Sequence, residues 1–115
     1  MAHIGSVVLK VGDLHRAAEF WTGALGYELR GGPIGEDSPV LVPKHGAGSA
    51  ITLDESDRTH FDLHVADEAE LAAEVERLVS LGAERVPWDY PPDATFVVLA
   101  DTEGNLFCVV NTGRG

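Results

Sequence analysis

The feature that most constrains the fold of this chain is an internal repeat. The segment "VGDLHRAAEFWTGALGYEL", which begins at Val11, and the segment "VADEAELAAEVERLVSLGAERV", which begins at Val65, follow the same plan. Each opens with Val-x-Asp after an alternating strand, continues through a helical pattern to Leu-Gly, and resumes as a short strand. The repeat predicts two β-α-β-β-β modules, about 1–56 and 57–115, within one domain covering residues 1–115.

Both helices carry start and stop signals. Asp13 and Asp67 are predicted N-caps, and Glu70 follows Asp67 at the spacing of a capping box. Gly26 and Gly82 suit the left-handed residue that ends a helix. The apolar residues at helical spacing are Leu14, Ala17, Ala18, Trp21 and Leu25 in the first helix, and Leu71, Val75, Leu78 and Val79 in the second.

Three short strands are predicted after each helix. They lie near 27–31, 39–43 and 49–54 in the first module, and near 84–88, 95–100 and 105–111 in the second. The stretches "GGPIGEDSP" and "DYPPDAT" are typical of loops, and "DTEGN" is typical of a hairpin turn. The expected fold is α+β, with the two modules forming a concave mixed sheet and the helices outside.

Composition excludes several classes of function. The 115 residues are 44% hydrophobic, but no apolar run reaches the ~18 residues of a membrane span, and no signal-peptide pattern is present. The single cysteine, Cys108, excludes an internal disulfide framework. We therefore expect a cytoplasmic protein with no membrane partner.

The net charge bears on which partners the chain can bind. Nineteen acidic and eight basic residues give a formal charge of −11. This balance opposes binding to a nucleic-acid phosphate backbone and favours a cationic small molecule. Many of the acidic residues fall on predicted helix surfaces, where they serve solubility.

The stretch "THFDLHVAD", residues 59–67, sends a polar set to one face of a predicted strand. Alternation places His60, Asp62 and His64 on one face. Residues four apart lie ~13 Å apart along a strand, too far for His60 and His64 to share an ion at ~2 Å from each. His60 and Asp62, ~6.6 Å apart along the strand, can converge, with Cys108 from the last strand as a third ligand. The opposite face, Phe61, Leu63 and Val65, is expected to cover the helix.

The repeat also matches Ser6 with His60, and Thr52 with Cys108. These four side chains are expected to meet around a pseudo-twofold axis within the concave sheet. Their apolar neighbours on the same faces are Val8, Ala50, Leu106 and Val110. A mostly apolar wall with a few convergent polar groups is the usual make-up of a small-molecule pocket.

The paired modules and the stretch "VVLADTEGNLFCVV" resemble the vicinal oxygen chelate superfamily over nearly the whole chain. That superfamily includes glyoxalase I, bleomycin-resistance proteins, fosfomycin-resistance enzymes and extradiol dioxygenases. The chain looks closest to small glyoxalase-like proteins of unassigned activity. The motifs specify a fold well and an activity poorly.

The resemblance implies where a metal would be bound. In metal-dependent members the ligands, His or Glu and in some Gln, come from the inward faces of the first, fourth, fifth and eighth strands. Those places hold Ser6, Thr52, His60 and Cys108 in this chain, and His60 alone keeps a usual ligand type. Serine and threonine hydroxyls are poor ligands for transition metals. We therefore expect a degenerate metal site and no cofactor, although a divalent metal held by altered ligands stays an alternative.

Four functions remain open from the sequence. The first is a protein that holds an apolar or cationic aromatic metabolite or drug. The second is a metal-independent lyase or isomerase in which His60 and Asp62 move a proton. The third is a divalent-metal glyoxalase or dioxygenase with altered ligands, and the fourth is a degenerate domain kept for an interaction. The expected ligand-binding residues are Ser6, Val8, Thr52, His60, Asp62, Trp88, Tyr90 and Cys108.

Alternatives also remain for individual residues. Cys108 is either a nucleophile with His60 as its base or a buried, inert side chain. Trp88 and Tyr90, at the start of a loop, either stack on a ligand or pack against the neighbouring module. His64 is expected at the rim. We also expect a homodimer, because an open sheet of this length leaves strand edges and apolar surface exposed.

Overall fold

The computed structural model describes residues 1–31, 34 and 38–113. Two helices and eight strands follow one another in the predicted order, twice β-α-β-β-β, which confirms the α+β class. Parallel and antiparallel strand pairs both occur, as the mixed sheet requires. The elements are β1 (His3–Lys10), α1 (Leu14–Leu25), β2 (Tyr27–Leu29), β3 (Val40–Pro43), β4 (Ala50–Asp54), β5 (His60–Val65), α2 (Glu68–Ser80), β6 (Glu84–Arg85), β7 (Phe96–Ala100) and β8 (Leu106–Asn111).

Two of the three segments predicted as loops or turns lie wholly within the described residues. The loop "DYPPDAT" carries no regular structure, and "DTEGN" forms the predicted turn, in which the Asp101 N–H donates to the Asn105 carbonyl. Most of the loop predicted at "GGPIGEDSP" lies outside the described residues. Within the described part of the chain, neither helix is long and apolar enough to cross a membrane.

The first unit of the chain spans Ser6–Thr59. Its strands lie in the order β2-β3-β4-β1, with β1 and β4 parallel. Helix α1 packs on these strands through a core of Ala18, Leu41 and Leu53, with Trp21 partly buried beside it. The N–H of Arg16 donates to the Asp13 carboxylate, and Gly26 ends the helix at a φ of 70°, as predicted. Leu25, predicted on the buried face, is exposed because it lies in the last turn of α1.

The second unit comprises Met1–Gly5 and His60–Gly115. Its strands lie in the order β5-β8-β7-β6, with β5 and β8 parallel. The core under α2 consists of Val65, Leu71, Val75, Leu99 and Val109. Phe61 and Val79, which the sequence placed toward this core, are exposed. Phe61 lies at the opposite end of β5 from Val65, and Val79 lies in the last turn of α2.

The start of α2 has the predicted cap with one difference. The N–H of Glu70 donates to the Asp67 carboxylate over 2.7 Å. The Glu70 carboxylate accepts from the N–H of Ala66, one residue before the cap, over 2.6 Å. A capping box would direct that carboxylate to the N–H of the cap residue itself. Two backbone donors at the helix start are nonetheless satisfied by side chains.

A buried carboxylate ties the first residues of the chain to α2. Glu74 is 4% exposed and accepts from the Ala2 N–H over 2.5 Å. Arg77 donates to the two Glu74 oxygens over 2.6 and 2.9 Å. These Arg77 hydrogen bonds are the largest cause that lowers the pKa of Glu74, from 4.5 to about 2. The sequence pattern did not reveal this residue, because its partner Ala2 lies 72 positions away.

Glu74 should make the stability of the protein depend on acid pH. Because its pKa is lower in the folded than in the unfolded chain, its contribution is complete above the unfolded value of 4.5 and is lost as the pH falls toward about 2. Glu74→Gln should therefore be less stable than the wild type at neutral pH, and the difference should shrink across this window. Urea unfolding at a series of pH values measures it. Glu76→Gln, an exposed carboxylate on the same helix, is the control; an undiminished Glu74→Gln difference at acid pH would contradict the linkage.

Candidate functional site

The candidate site lies on the helix-free face of the second unit, the face of β5, β8 and β7 opposite α2. Parallel pairing sets Asp62 of β5 beside Cys108 of β8, and antiparallel pairing sets Val98 of β7 on the other side of Cys108. Their sequence neighbours Val109 and Leu99 belong to the core under α2. Alternation along each strand therefore sends Asp62, Cys108 and Val98 to the helix-free face, together with His60.

Three chemically different side chains converge on this face. The Nε2 atom of His60 lies 3.3 Å from Oδ1 of Asp62. One donor atom each from His60, Asp62 and Cys108 fall within 4.8 Å of one another. The His60 side chain is 9% exposed, whereas that of Asp62 is 25% exposed. The His60 side chain is thus largely withdrawn from water, and Asp62 is the more accessible of the two.

The surroundings of this cluster are apolar. Val98 is 2% exposed, and Leu106 and Val110, two positions on either side of Cys108, are partly buried. Electrostatic interactions are stronger beside such side chains than in water because the local dielectric is low. The arrangement is a small polar group set in an apolar wall, which is the make-up predicted for a ligand pocket.

His64, the third polar residue of the motif, contacts the N-terminal segment. Its ring lies against the backbone of Gly5: a Cβ atom built on Gly5 would fall 2.0 Å from Nδ1 of His64. The His3 ring stands edge-on to it, with 5.9 Å between centroids. Glycine at position 5 therefore makes room for the imidazole. His64 is half-buried in this packing and is not one of the three converging donors.

In the first unit, the matching positions hold a hydroxyl pair. The Oγ atom of Ser6 and the Oγ1 atom of Thr52 are 2.8 Å apart, a hydrogen bond between β1 and β4. Ser6 is 6% exposed, and Val8, also 6% exposed, lies beside Thr52 in the strand register. The predicted face of β1 and β4 is therefore confirmed. That these residues and the His60 cluster line one cavity stays a prediction.

The donor set does not fit the four-strand metal site that the resemblance implies. Two of its four positions, Ser6 and Thr52, carry hydroxyls that hydrogen-bond to each other. Neutral hydroxyls are weak ligands for divalent transition metals. Among the described residues, the donors that can hold a metal ion together are His60, Asp62 and Cys108, and Asp62 lies outside the implied set.

The two loop aromatics have different roles. The hydroxyl of Tyr90 accepts the N–H of Val98 over 2.8 Å, and its ring is 5.5 Å from that of Phe96. Because β6 pairs only with positions 99 and 100 of β7, this hydroxyl satisfies a backbone donor beyond the end of β6. Trp88 is 46% exposed. A groove of about 300 Å³ includes Tyr90 in its lining and not Trp88; it is lined by Arg85, Val86, Tyr90, Ala94, Phe96, Val97 and Val98.

Comparison with known families gives one match that covers most of the chain. A family model described as a glyoxalase-like domain matches residues 6–110. No curated protein sequence matches the chain significantly.

Solved structures share the fold at low sequence identity. Methylmalonyl-CoA epimerase from Mycobacterium tuberculosis is 24% identical, with a TM-score of 0.63 over 96% of this chain and 88% of that one. A glyoxalase/bleomycin resistance protein/dioxygenase superfamily member from Vibrio splendidus 12B01 is 17% identical, with a TM-score of 0.60 over 96% and 99% of the two chains. A methylmalonyl-CoA epimerase in complex with methylmalonyl-CoA and NH4+ is 17% identical, with a TM-score of 0.61 over 96% and 94%. At these identities the likeness concerns the fold alone.

Removing one partner of the hydroxyl pair should destabilise the protein. Thr52→Val leaves the buried Ser6 hydroxyl without this hydrogen bond, at a cost of about 1–3 kcal/mol. The double variant Ser6→Ala/Thr52→Val should lose less than the sum of the two single variants, because no hydroxyl is then stranded. Urea unfolding measures all three, with Thr102→Val in an exposed turn as the control. Strictly additive losses would show that the pair does not interact.

Proposed function

Because the chain belongs to the glyoxalase-like domain family, within the glyoxalase/bleomycin resistance/dioxygenase superfamily, we propose that it binds a small organic molecule through a degenerate form of the family's metal site. The observation that carries this proposal is the His60, Asp62 and Cys108 cluster set in an apolar face of the second unit. An apolar ligand loses its contact with water on such a face, and hydrogen bonds to the cluster fix the orientation of the ligand.

His60 and Asp62 are proposed to orient the ligand. His60 offers a donor or an acceptor according to its tautomer, and the Asp62 carboxylate offers acceptors alone. The net charge of −11 raises the local concentration of cations, and Asp62 lies on the accessible side of the cluster. Both features favour a cationic aromatic metabolite or drug over an anionic one. Ser6, Val8, Thr52, Trp88 and Tyr90 are proposed to complete the binding surface.

A second candidate is a metal-independent lyase or isomerase. The observation that favours it is the 3.3 Å approach of Nε2 of His60 to Oδ1 of Asp62. A carboxylate beside an imidazole accepts a hydrogen bond from one ring nitrogen and so holds the ring in one orientation and tautomer. Two solved structures of the same fold are named as epimerases. In this candidate His60 is the base that removes a proton from the bound molecule.

One variant separates the two candidates. If His60 only orients the ligand, His60→Ala should weaken binding roughly two- to tenfold, the equivalent of a hydrogen bond of ~0.5–1.5 kcal/mol. If His60 is a base, binding should stay nearly intact and turnover should fall by ~10²-fold or more. The molecule used is the strongest binder from a thermal-shift panel of cationic aromatic drugs and small metabolites. Both its affinity and its conversion are measured.

His45→Ala, which changes an exposed histidine in a loop, is the matched control for that experiment and should alter neither quantity. If the panel yields no binder, or if His60→Ala changes neither the affinity nor the conversion of the binder found, the proposed function is wrong, and the degenerate interaction domain takes its place.

We also propose that the protein is a cytoplasmic homodimer that binds neither nucleic acid nor membrane. Large apolar side chains are exposed on both units, among them Phe20, Phe61 and Trp88 at 46–61%. Exposed aromatic surface of this kind is typical of an interface between protein chains. Light scattering at micromolar concentration should give twice the chain mass of 12.3 kDa, and a monomer mass would contradict the proposal.

A further inference from the structure

We propose that the second unit by itself holds a site for a thiophilic divalent cation, best served by Zn²⁺, made of His60, Asp62 and Cys108. This inference concerns the same three side chains as the proposed function, but it assigns them a metal ion, whichever organic molecule binds. It also departs from the expectation of no metal, which rested on the four positions that the resemblance implies. The site proposed here uses two neighbouring strands, β5 and β8, and includes Asp62.

The three donors have the right chemistry. Imidazole nitrogen, carboxylate oxygen and thiolate sulfur are the three ligand types that zinc takes in proteins, at roughly 2.0–2.3 Å. In a tetrahedral site such bond lengths put the ligand atoms roughly 3–4 Å from one another. The donor atoms of the three residues already lie within 4.8 Å of one another. The observed spacing is therefore close to that of a tetrahedral site.

The strand register explains why these residues meet. Asp62 and Cys108 are direct neighbours in the parallel β5–β8 pair, and His60 precedes Asp62 by two positions on the same face. The Nε2 atom of His60 is 3.3 Å from Oδ1 of Asp62. The strand pairing holds Asp62 and Cys108 side by side, and the long side chain of His60 brings its Nε2 atom to Asp62 as the third ligand. No loop movement is needed to assemble the set.

The composition of the set selects among metals. Ca²⁺ and Mg²⁺ need six or more oxygen ligands, and this cluster offers one carboxylate, so both should bind poorly. The thiolate favours zinc and other thiophilic ions. Three protein ligands leave a fourth tetrahedral position for water or another small ligand. Asp62, 25% exposed, lies on the side from which that ligand can enter.

Cobalt substitution tests the site directly. The full-length, reduced protein is stripped with chelator and titrated with Co²⁺, which reports a cysteine ligand through a thiolate-to-cobalt charge-transfer band in the near ultraviolet. We expect about one Co²⁺ per chain, displaced by Zn²⁺ and not by Mg²⁺. Cys108→Ser should abolish the band. His60→Ala and Asp62→Ala should each weaken binding by about tenfold or more, since each removes one of three ligands.

Matched variants and a wild-type measurement keep the result decisive. His45→Ala should leave the titration unchanged, because His45 is an exposed loop residue. If Ser6→Ala/Thr52→Val abolishes binding, the metal belongs to the four-strand set and the proposal is wrong. In the wild type, Zn²⁺ should slow labelling of Cys108 by a thiol reagent, and Mg²⁺ should not. This measurement holds even where a variant folds poorly.

The outcome is separable from that of the proposed function. Absence of the charge-transfer band, or an unchanged titration in Cys108→Ser, overturns the metal site. If the metal site is overturned but chelator-treated protein still binds the organic molecule, the proposed function is unaffected. Conversely, a cobalt site in a protein that binds no member of the panel supports the metal inference alone.

Discussion

The parallel pairing of β5 with β8 is the constraint on which the chemistry of this protein depends. It sets Asp62 directly beside Cys108, and alternation along β5 adds His60 to the same face. A shift of β5 by one residue against β8 would turn His60 and Asp62 toward α2, where Val65 and Val109 now form the core, and would separate them from Cys108. The apolar packing under α2 therefore fixes the register, and the register brings the three polar groups together. The same alignment of β5 with β8 therefore determines both the core under α2 and the site on the opposite face.

Much of the fold was predictable because its signals are local. The Val-x-Asp openings, the apolar periodicity and the glycines that end the helices are read within a few residues, and the structure confirms the caps at Asp13 and Asp67. Strand faces followed from alternation, so the sides on which Ser6, Thr52 and Cys108 lie were also predictable. Local signals fail at the ends of elements: Leu25 and Val79 fit the helical pattern but lie in last turns, where the strands no longer cover them.

The contacts that the sequence did not reveal join distant residues or depend on a missing side chain. Glu74 interrupts an apolar helix face, and its role as a hydrogen-bond acceptor for Ala2 and Arg77 is visible only in the folded structure. The position of the His64 ring depends on the absence of a Cβ atom at Gly5. Tyr90 was expected to touch a ligand, yet its hydroxyl also replaces a missing strand neighbour at Val98. The Glu74–Arg77 pair has helical spacing, but the contacts of Ala2, His64 and Tyr90 have no periodicity, so no pattern along the chain predicts them.

The attachment of Ala2 to Glu74 has a consequence for the order in which the protein is made. Residues Met1–Gly5 belong to the unit that contains His60 onward, although a ribosome synthesises them before the unit Ser6–Thr59. The unit Ser6–Thr59 has its own core and can gather its strands as soon as it emerges. The first five residues must wait until α2 exists, 72 positions later, before the Ala2 amide meets its carboxylate. The Ala2 amide is thus placed only once α2 has been made, later than the strands of the unit Ser6–Thr59 can pair.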